Sequence, residues 1–193
     1  MDLKLVGNVN NIREAANELH QVYGHDSDTS SDTRLGKEDL KFMIERIRDG
    51  ESRKLFLWLL DVVIDITATM QWWKQSEKFM TEVQWVRKKI GDSDVMRRLS
   101  QSDFENGIPD GVLEVINRHI EQGDRAKVQE MLPDNYIRRG YAKIDYQALR
   151  QIFEERNHYS EGDWATFCRF VETLPFSGLI TETAKKPVWE IDG

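Results

Sequence analysis

The sequence predicts a mostly helical α+β domain, and three observations carry that expectation. Four stretches repeat apolar residues at helical spacing: Lys37 to Arg48, Pro109 to Gly123, Tyr146 to Glu155 and Gly162 to Thr173. Two others, Leu3 to Val6 and Tyr136 to Ile144, read as extended. The 193 residues are 39% hydrophobic and 32% charged, a globular composition long enough to bury a real core.

The elements follow in order. LKLV (Leu3 to Val6) is a short strand-like run stopped by Gly7. Asn10 or Asn11 caps a helix to about Tyr23, with Ile12, Ala15, Ala16, Leu19 and Val22 on one face. His25 to Gly36 alternates Asp and Ser as a calcium-binding EF-hand loop does. Counted from Asp26, however, the sixth and twelfth positions hold Ser31 and Lys37 instead of glycine and glutamate. The expectation is a mobile surface loop. Lys37 to Arg48 places Leu40, Met43, Ile44 and Ile47 on one side and ends at Asp49-Gly50. Leu55 to Thr69 is the most apolar stretch; helix or buried strand stays open, and Asp61 and Asp65 within it need partners if buried.

Gln71 to Ile90 reads as a helix rich in aromatics. Trp72, Trp73 and Trp85 suit either a core or subunit interface, or a stacking platform for a flat ring. Arg87, Lys88 and Lys89 suit the negative end of that helix. After a polar stretch to Gly107, Pro109 opens a helix with Val112, Leu113, Val115, Ile116 and Ile120 facing the core. Arg125 to Met131 is a short helix, and Asn157 to Glu161 breaks the last helix pair. Residues 1–180 read as one domain and 181–193 as a C-terminal arm.

Composition also bounds function. A net charge of −7 gives no bulk support for nucleic-acid binding. One cysteine, Cys168, permits no internal disulfide and suits a cytoplasmic setting. No apolar run approaches a membrane span. His20, His25, His119 and His158 lack metal-ligand spacing, so no metal is expected. Gly-rich phosphate loops are absent, Cys168 sits between phenylalanines as a structural thiol, and Glu154 and Glu155 point apart on their helix. Read from the residues alone, the chain carries no catalytic signature.

One stretch carries more. Leu132-Pro133 and Leu174-Pro175 bracket an extended segment, then Asp145-Tyr146-Gln147-Ala148-Leu149, then Arg156 eleven residues after Asp145, then Asp163-Trp164. This resembles the C-terminal half of flavin-dependent thymidylate synthases. There an arginine precedes Leu-Pro by three residues, Asn-x-Arg-x-Leu follows, and a further arginine lies eleven residues after that Asn. The N-terminal half is similar in element order, with Gln71 at the glutamine of a Gln-x-x-Arg-His-Arg motif. The whole also looks like small phage-type proteins with a GES…WW…LP…R…W…LP pattern, from Gly50-Glu51-Ser52 to Leu174-Pro175.

The resemblance implies a thymidylate synthase-like fold with a small central sheet, FAD as cofactor, dUMP as substrate, and a homo-oligomer, tetramer or dimer, with sites shared between subunits. It places nucleotide-binding positions at Gln71, Gln129, Asp145, Gln147 and Arg156. Four of them depart from the pattern or stand beside departures. Lys74, Gln75 and Ser76 replace Arg-His-Arg, Gln129 replaces the arginine before Leu-Pro, and Asp145 and Gln147 replace Asn and Arg. Each charged hydrogen bond lost to a phosphate costs about 1.5–3 kcal/mol. Arg156 itself suits either a ligand contact or its helix's C-terminal dipole.

The expectation is therefore a catalytically degenerate synthase-like protein that binds a nucleotide or a protein partner. One alternative is an active flavin-dependent enzyme with a remodelled site. The other is a phage factor that binds a host protein through the Trp-rich helix.

Overall fold

The computed structural model describes residues 1–50, 55–79, 83–86 (backbone only) and 97–182. Its centre is a four-stranded antiparallel sheet in the order β1-β2-β4-β3. The strands are β1 (Asp2–Asn10), β2 (Asp61–Thr69), β3 (Val83–Val86) and β4 (Ile137–Asp145). β2 and β4 pair along their full length, from Asp61 opposite Asp145 to Thr69 opposite Ile137. Alternation decides the faces. Val62, Ile64, Ile66 and Ala68 of β2, with Ala142 and Ile144 of β4, are buried. Asp65, Thr67, Arg139, Tyr141 and Lys143 occupy the other face, where Arg139 pairs with Asp65.

Helices α1 (Ile12–Tyr23), α2 (Lys37–Arg48), α3 (Leu55–Leu59), α7 (Tyr146–Arg156), α8 (Gly162–Glu172) and α9 (Gly178–Thr181) supply one apolar cluster with the buried sheet face. Helices α5 (Asp110–Glu121) and α6 (Arg125–Met131) form a smaller one with Leu99, Phe104 and Tyr136. There Asn117 holds Leu99 by both backbone groups, at 2.7 and 3.0 Å. Arg150, buried in α7, donates to the Leu179 and Ile180 carbonyls and pairs with Glu154. The second Leu-Pro closes on the start of α7: the Tyr146 hydroxyl donates to the Pro175 carbonyl. No helix among the described residues is long and apolar enough to cross a membrane.

Several expectations are corrected. The first strand is Asp2–Asn10 and passes through Gly7, where the ladder with β2 slips between Val6 and Asn10 and φ is +77°. A glycine there permits a bulge instead of ending the strand. Val22 is 55% exposed and Val112 is 40% exposed, so neither belongs to the buried helix faces. Leu55 to Thr69 divides into α3 and β2, joined at Leu60, whose carbonyl accepts the Tyr146 N–H. The helix expected over Gln71 to Ile90 is α4 (Met70–Ser76), then a 3₁₀ turn (Glu77–Phe79), then β3, in which Trp85 stands opposite Ala142. Arg87, Lys88, Lys89, Glu51 and Ser52 lie outside the described residues, as does most of the expected C-terminal arm.

The loop from His25 to Gly36 is organised around one carboxylate. Asp39, in the first turn of α2, is fully buried. It accepts from Ser27 Oγ (2.6 Å), Thr29 N (3.0 Å) and Thr29 Oγ1 (2.5 Å), and His25 Nε2 lies 2.9 Å away. Burial raises its pKa, but the bonds from Ser27, Thr29 and His25 outweigh this and hold the carboxyl below its ordinary value. Asp28 in turn accepts from the Glu38 and Asp39 N–H groups at the start of α2. It lies so close to Gly36 that a Cβ there would overlap its carboxylate at 1.8 Å.

Candidate functional site

A cavity of about 330 Å³ opens where α4 and α8 begin. Its position follows from the ends of two elements. Thr69 closes β2 and caps α4, accepting the Trp72 N–H at 3.3 Å. Met70 N and Gln71 N donate to the Tyr136 and Asp134 carbonyls just after the first Leu-Pro, at 2.8 and 2.9 Å. Opposite, the break after Arg156 turns the chain through Tyr159 and Glu161 into α8. The Thr69 hydroxyl lies 3.4 Å from Asp163 Oδ2 and joins the two helix starts. A turn carrying Glu105 closes the third side, held by Asn135, whose side chain donates to the Glu105 and Gly107 carbonyls.

The lining is aromatic and acidic. Trp72 and Trp164 meet with ring centroids 5.3 Å apart, and Trp164 Nε1 donates to Gln75 Oε1 at 2.6 Å. Glu105, Glu161 and Asp163 bring three carboxylates, and no lysine or arginine lines the cavity among the described residues. The N-terminus of α8, a natural anion site, already carries Glu161 and Asp163. The cations nearby are engaged, Lys74 with Asp134, Lys78 with Glu155 and the Met1 ammonium with Asp163 Oδ1 at 3.5 Å.

Arg156 stands behind this wall. Its guanidinium lies 4.7 Å from the Trp164 ring centre, 5.7 Å from Tyr159 and 5.9 Å from Phe79, and Nη1 donates to the Tyr159 hydroxyl at 3.2 Å. Such contacts are each worth about 0.5–1 kcal/mol at partly exposed sites. Arg156 thus braces two rings of the cavity from outside it.

The residues expected from the sequence divide accordingly. Gln71 lines the cavity, and Arg156 touches two of its lining rings. Asp145 caps α7, accepting the Ala148 N–H at 2.7 Å, and Gln147 follows it. By helical rise Asp145 lies about 16 Å and Gln147 about 14 Å from Arg156, at the far end of the sheet. Gln129 is on the outer side of α6. Trp72 and Trp73 are 2% and 1% exposed, with Trp73 Nε1 donating to the Arg138 carbonyl. Thr69, Gln75, Glu105, Tyr159, Glu161 and Asp163 join the site unforeseen. Burial pushes the Cys168 thiol up to about 11, with Glu172 adding to the shift, so it is no nucleophile. No group of side chains suited to a metal ion occurs among the described residues.

No protein-family model and no curated protein sequence matches the chain. Solved structures do. A crystal structure of the flavin-dependent thymidylate synthase ThyX from Helicobacter pylori, complexed with FAD and dUMP, aligns with a TM-score of 0.74. The alignment covers 96% of this chain and 100% of that one at 10% identity. A second Helicobacter pylori ThyX structure with FAD and dUMP gives 0.73, covering 94% and 97% at 9% identity. The chain has the ThyX fold. The likeness is one of backbone path across the whole chain, and at this identity it speaks for fold alone. The phage-type pattern has no support from these comparisons.

Proposed function

We propose that this chain is a nucleotide-binding protein of the ThyX fold that has lost flavin-dependent methylation of dUMP. One observation carries the reading: the cavity at the helix starts offers three carboxylates and no lysine or arginine among the described residues, the Met1 ammonium there is paired with Asp163, and Arg156 is turned to its supporting rings. The ThyX structures hold FAD and dUMP, both bearing phosphate. Phosphate requires converging donors and positive charge, and a carboxylate wall opposes it. A base can enter such a cavity while its phosphate stays outside.

Asp145, Gln147 and Gln129 lie away from the cavity within one chain. Their nucleotide-binding role therefore requires a second copy, and we infer a homo-oligomer whose sites combine two chains. Residues 1–180 would act as one domain in it, with 181–193 as an arm, in a cytoplasmic setting. Binding a host protein through the Trp-rich helix is disfavoured, because Trp72 and Trp73 are in the core.

The test combines colour, binding and mass. Freshly purified protein is expected to lack flavin absorbance and to leave a thymidine auxotroph unrescued. It is expected to bind at least one nucleotide by calorimetry and to run above monomer mass. A yellow protein that rescues the auxotroph would restore the active flavin enzyme. Silence across a full nucleotide panel would remove the nucleotide reading.

A further inference from the structure

We propose that β1 is a docking edge for a second copy of this chain: the two β1 strands pair antiparallel about Leu3, Asp2 of each meets the partner's Lys4, and the two sheets join into one. This rests on the homo-oligomer reading above and names its interface.

The sheet order leaves β1 at an edge, with β2 along one side and no described strand along the other. An open edge presents unpaired backbone N–H and C=O groups, and proteins blunt it with proline, a bulge or charge. β1 has no proline, and its irregularity lies beyond Val6, so Asp2 to Val6 form a regular, open stretch. The charges there are Asp2 and Lys4, both exposed, of opposite sign and on one face of the strand. Neither side chain makes a hydrogen bond or ion pair among the described residues. Lys4 stands across from Asp65, whose carboxylate Arg139 already holds. On the other face Leu3 and Leu5 pack against the main apolar cluster and keep part of their surface in solvent.

Self-pairing has few registers. A two-fold axis normal to the sheet keeps like faces together, so an isologous antiparallel pair centres on a residue and not between two. Centred on Lys4, it opposes two lysines, which like charge disfavours. Centred on Leu5, it sets Asp2 against Asn8 and Leu3 against Gly7, in the irregular part of the strand where no side chain covers the leucine. Centred on Leu3, it sets Asp2 against the partner's Lys4, and Lys4 against the partner's Asp2, on the open face. On the other face Leu3 meets the partner's Leu3. The two charges that would repel an unrelated strand thus become complementary in a copy of the same strand. The backbone ladder is about five residues long, the usual length of a strand.

Charge exchange tests both the edge and the register. Sedimentation equilibrium on the full chain at low ionic strength is expected to show self-association weakened about thirtyfold in D2K and in K4D, since each reverses two cross-strand pairs. Mixing the two variants sets opposite charges together again in a mixed pair, and D2K/K4D does so within one variant. Both should return to within about threefold of wild type. K4D also places a carboxylate across from Asp65 in its own chain, and D2K/K4D keeps that change, so recovery in the double variant reports the interface and not folding. Unchanged association in both single variants overturns the edge pairing alone, and so does a mixture or a double variant that fails to recover. A wild-type chain that stays monomeric overturns the homo-oligomer reading with it.

Discussion

Replacing Asp39 is the sharpest test of how the N-terminal third is held. In Asp39→Ala, four donors on His25, Ser27 and Thr29 lose a fully buried acceptor. Breaking a buried charged cluster from one side costs about 3–5 kcal/mol, so the expected loss is about 4 kcal/mol. With a urea m-value near ~2 kcal/mol/M the midpoint falls by about 2 M without a change in m. Asp39→Asn keeps one oxygen for Ser27 and Thr29 but loses the charge, and about 2 kcal/mol is expected. The pH dependence has a definite sign. The folded pKa lies below the ordinary 3.8. The ionised Asp39 therefore stabilises fully above the unfolded value, and that contribution disappears as pH falls through the folded one. The gap between wild type and Asp39→Asn should be constant near neutrality and close below about pH 4. Tryptophan-monitored urea unfolding at pH 7 and pH 3 reads both effects. An Ala variant within 1 kcal/mol (about a quarter of the expected loss) of wild type would refute the idea that this carboxylate organises the loop.

Other outcomes follow from the same bonds. Asp61 accepts from Asn10 and Asn11 and pairs with Lys143, so Asp61→Ala should cost about 2–3 kcal/mol in chemical unfolding. Gly36→Ala should displace Asp28 from the start of α2 and cost about 1–2 kcal/mol, the worth of a helix cap; an unchanged midpoint would mean Asp28 is not needed there. Arg156→Ala should lower stability by about 1–2 kcal/mol and alter tryptophan emission by freeing Tyr159 and Trp164. Cys168, held at about 11 by burial and Glu172, should resist alkylation at pH 8 in the native protein and react fully in urea.

The helices were the most legible elements because their period appears in one stretch of chain. Lys37–Arg48 coincides with its expected bounds, and α7 and α8 differ by a residue each. The segment from Leu55 to Thr69 was ambiguous because a fully buried run has no polar face to mark its period. The Trp-rich stretch misled because its charges mimic a helix surface, while VQWV at 83–86 carries a two-residue alternation too brief to weigh. The role of Asp39 was not legible, because its donors Ser27 and Thr29 lie on the preceding loop and meet it only through folding. The cavity was hardly legible, since Thr69, Glu105 and Asp163 meet only through folding. Gln71 came from the family pattern, and Asp163-Trp164 was quoted as part of that frame without being assigned to the site.

The sheet order also governs when this protein can fold. β2 ends at Thr69, and its long partner β4 begins at Ile137. Both central strands therefore wait on a closure spanning more than a third of the chain, which slows assembly. During synthesis, at about 5–20 residues per second, β2 is made several seconds before β4. Through that interval the apolar VVIDI run has β1 on one side only, and its other edge is open to pairing with another chain. A truncation ahead of Ile137 should thus give an aggregating product rather than a smaller folded one, and a nascent-chain chaperone should matter most over that window.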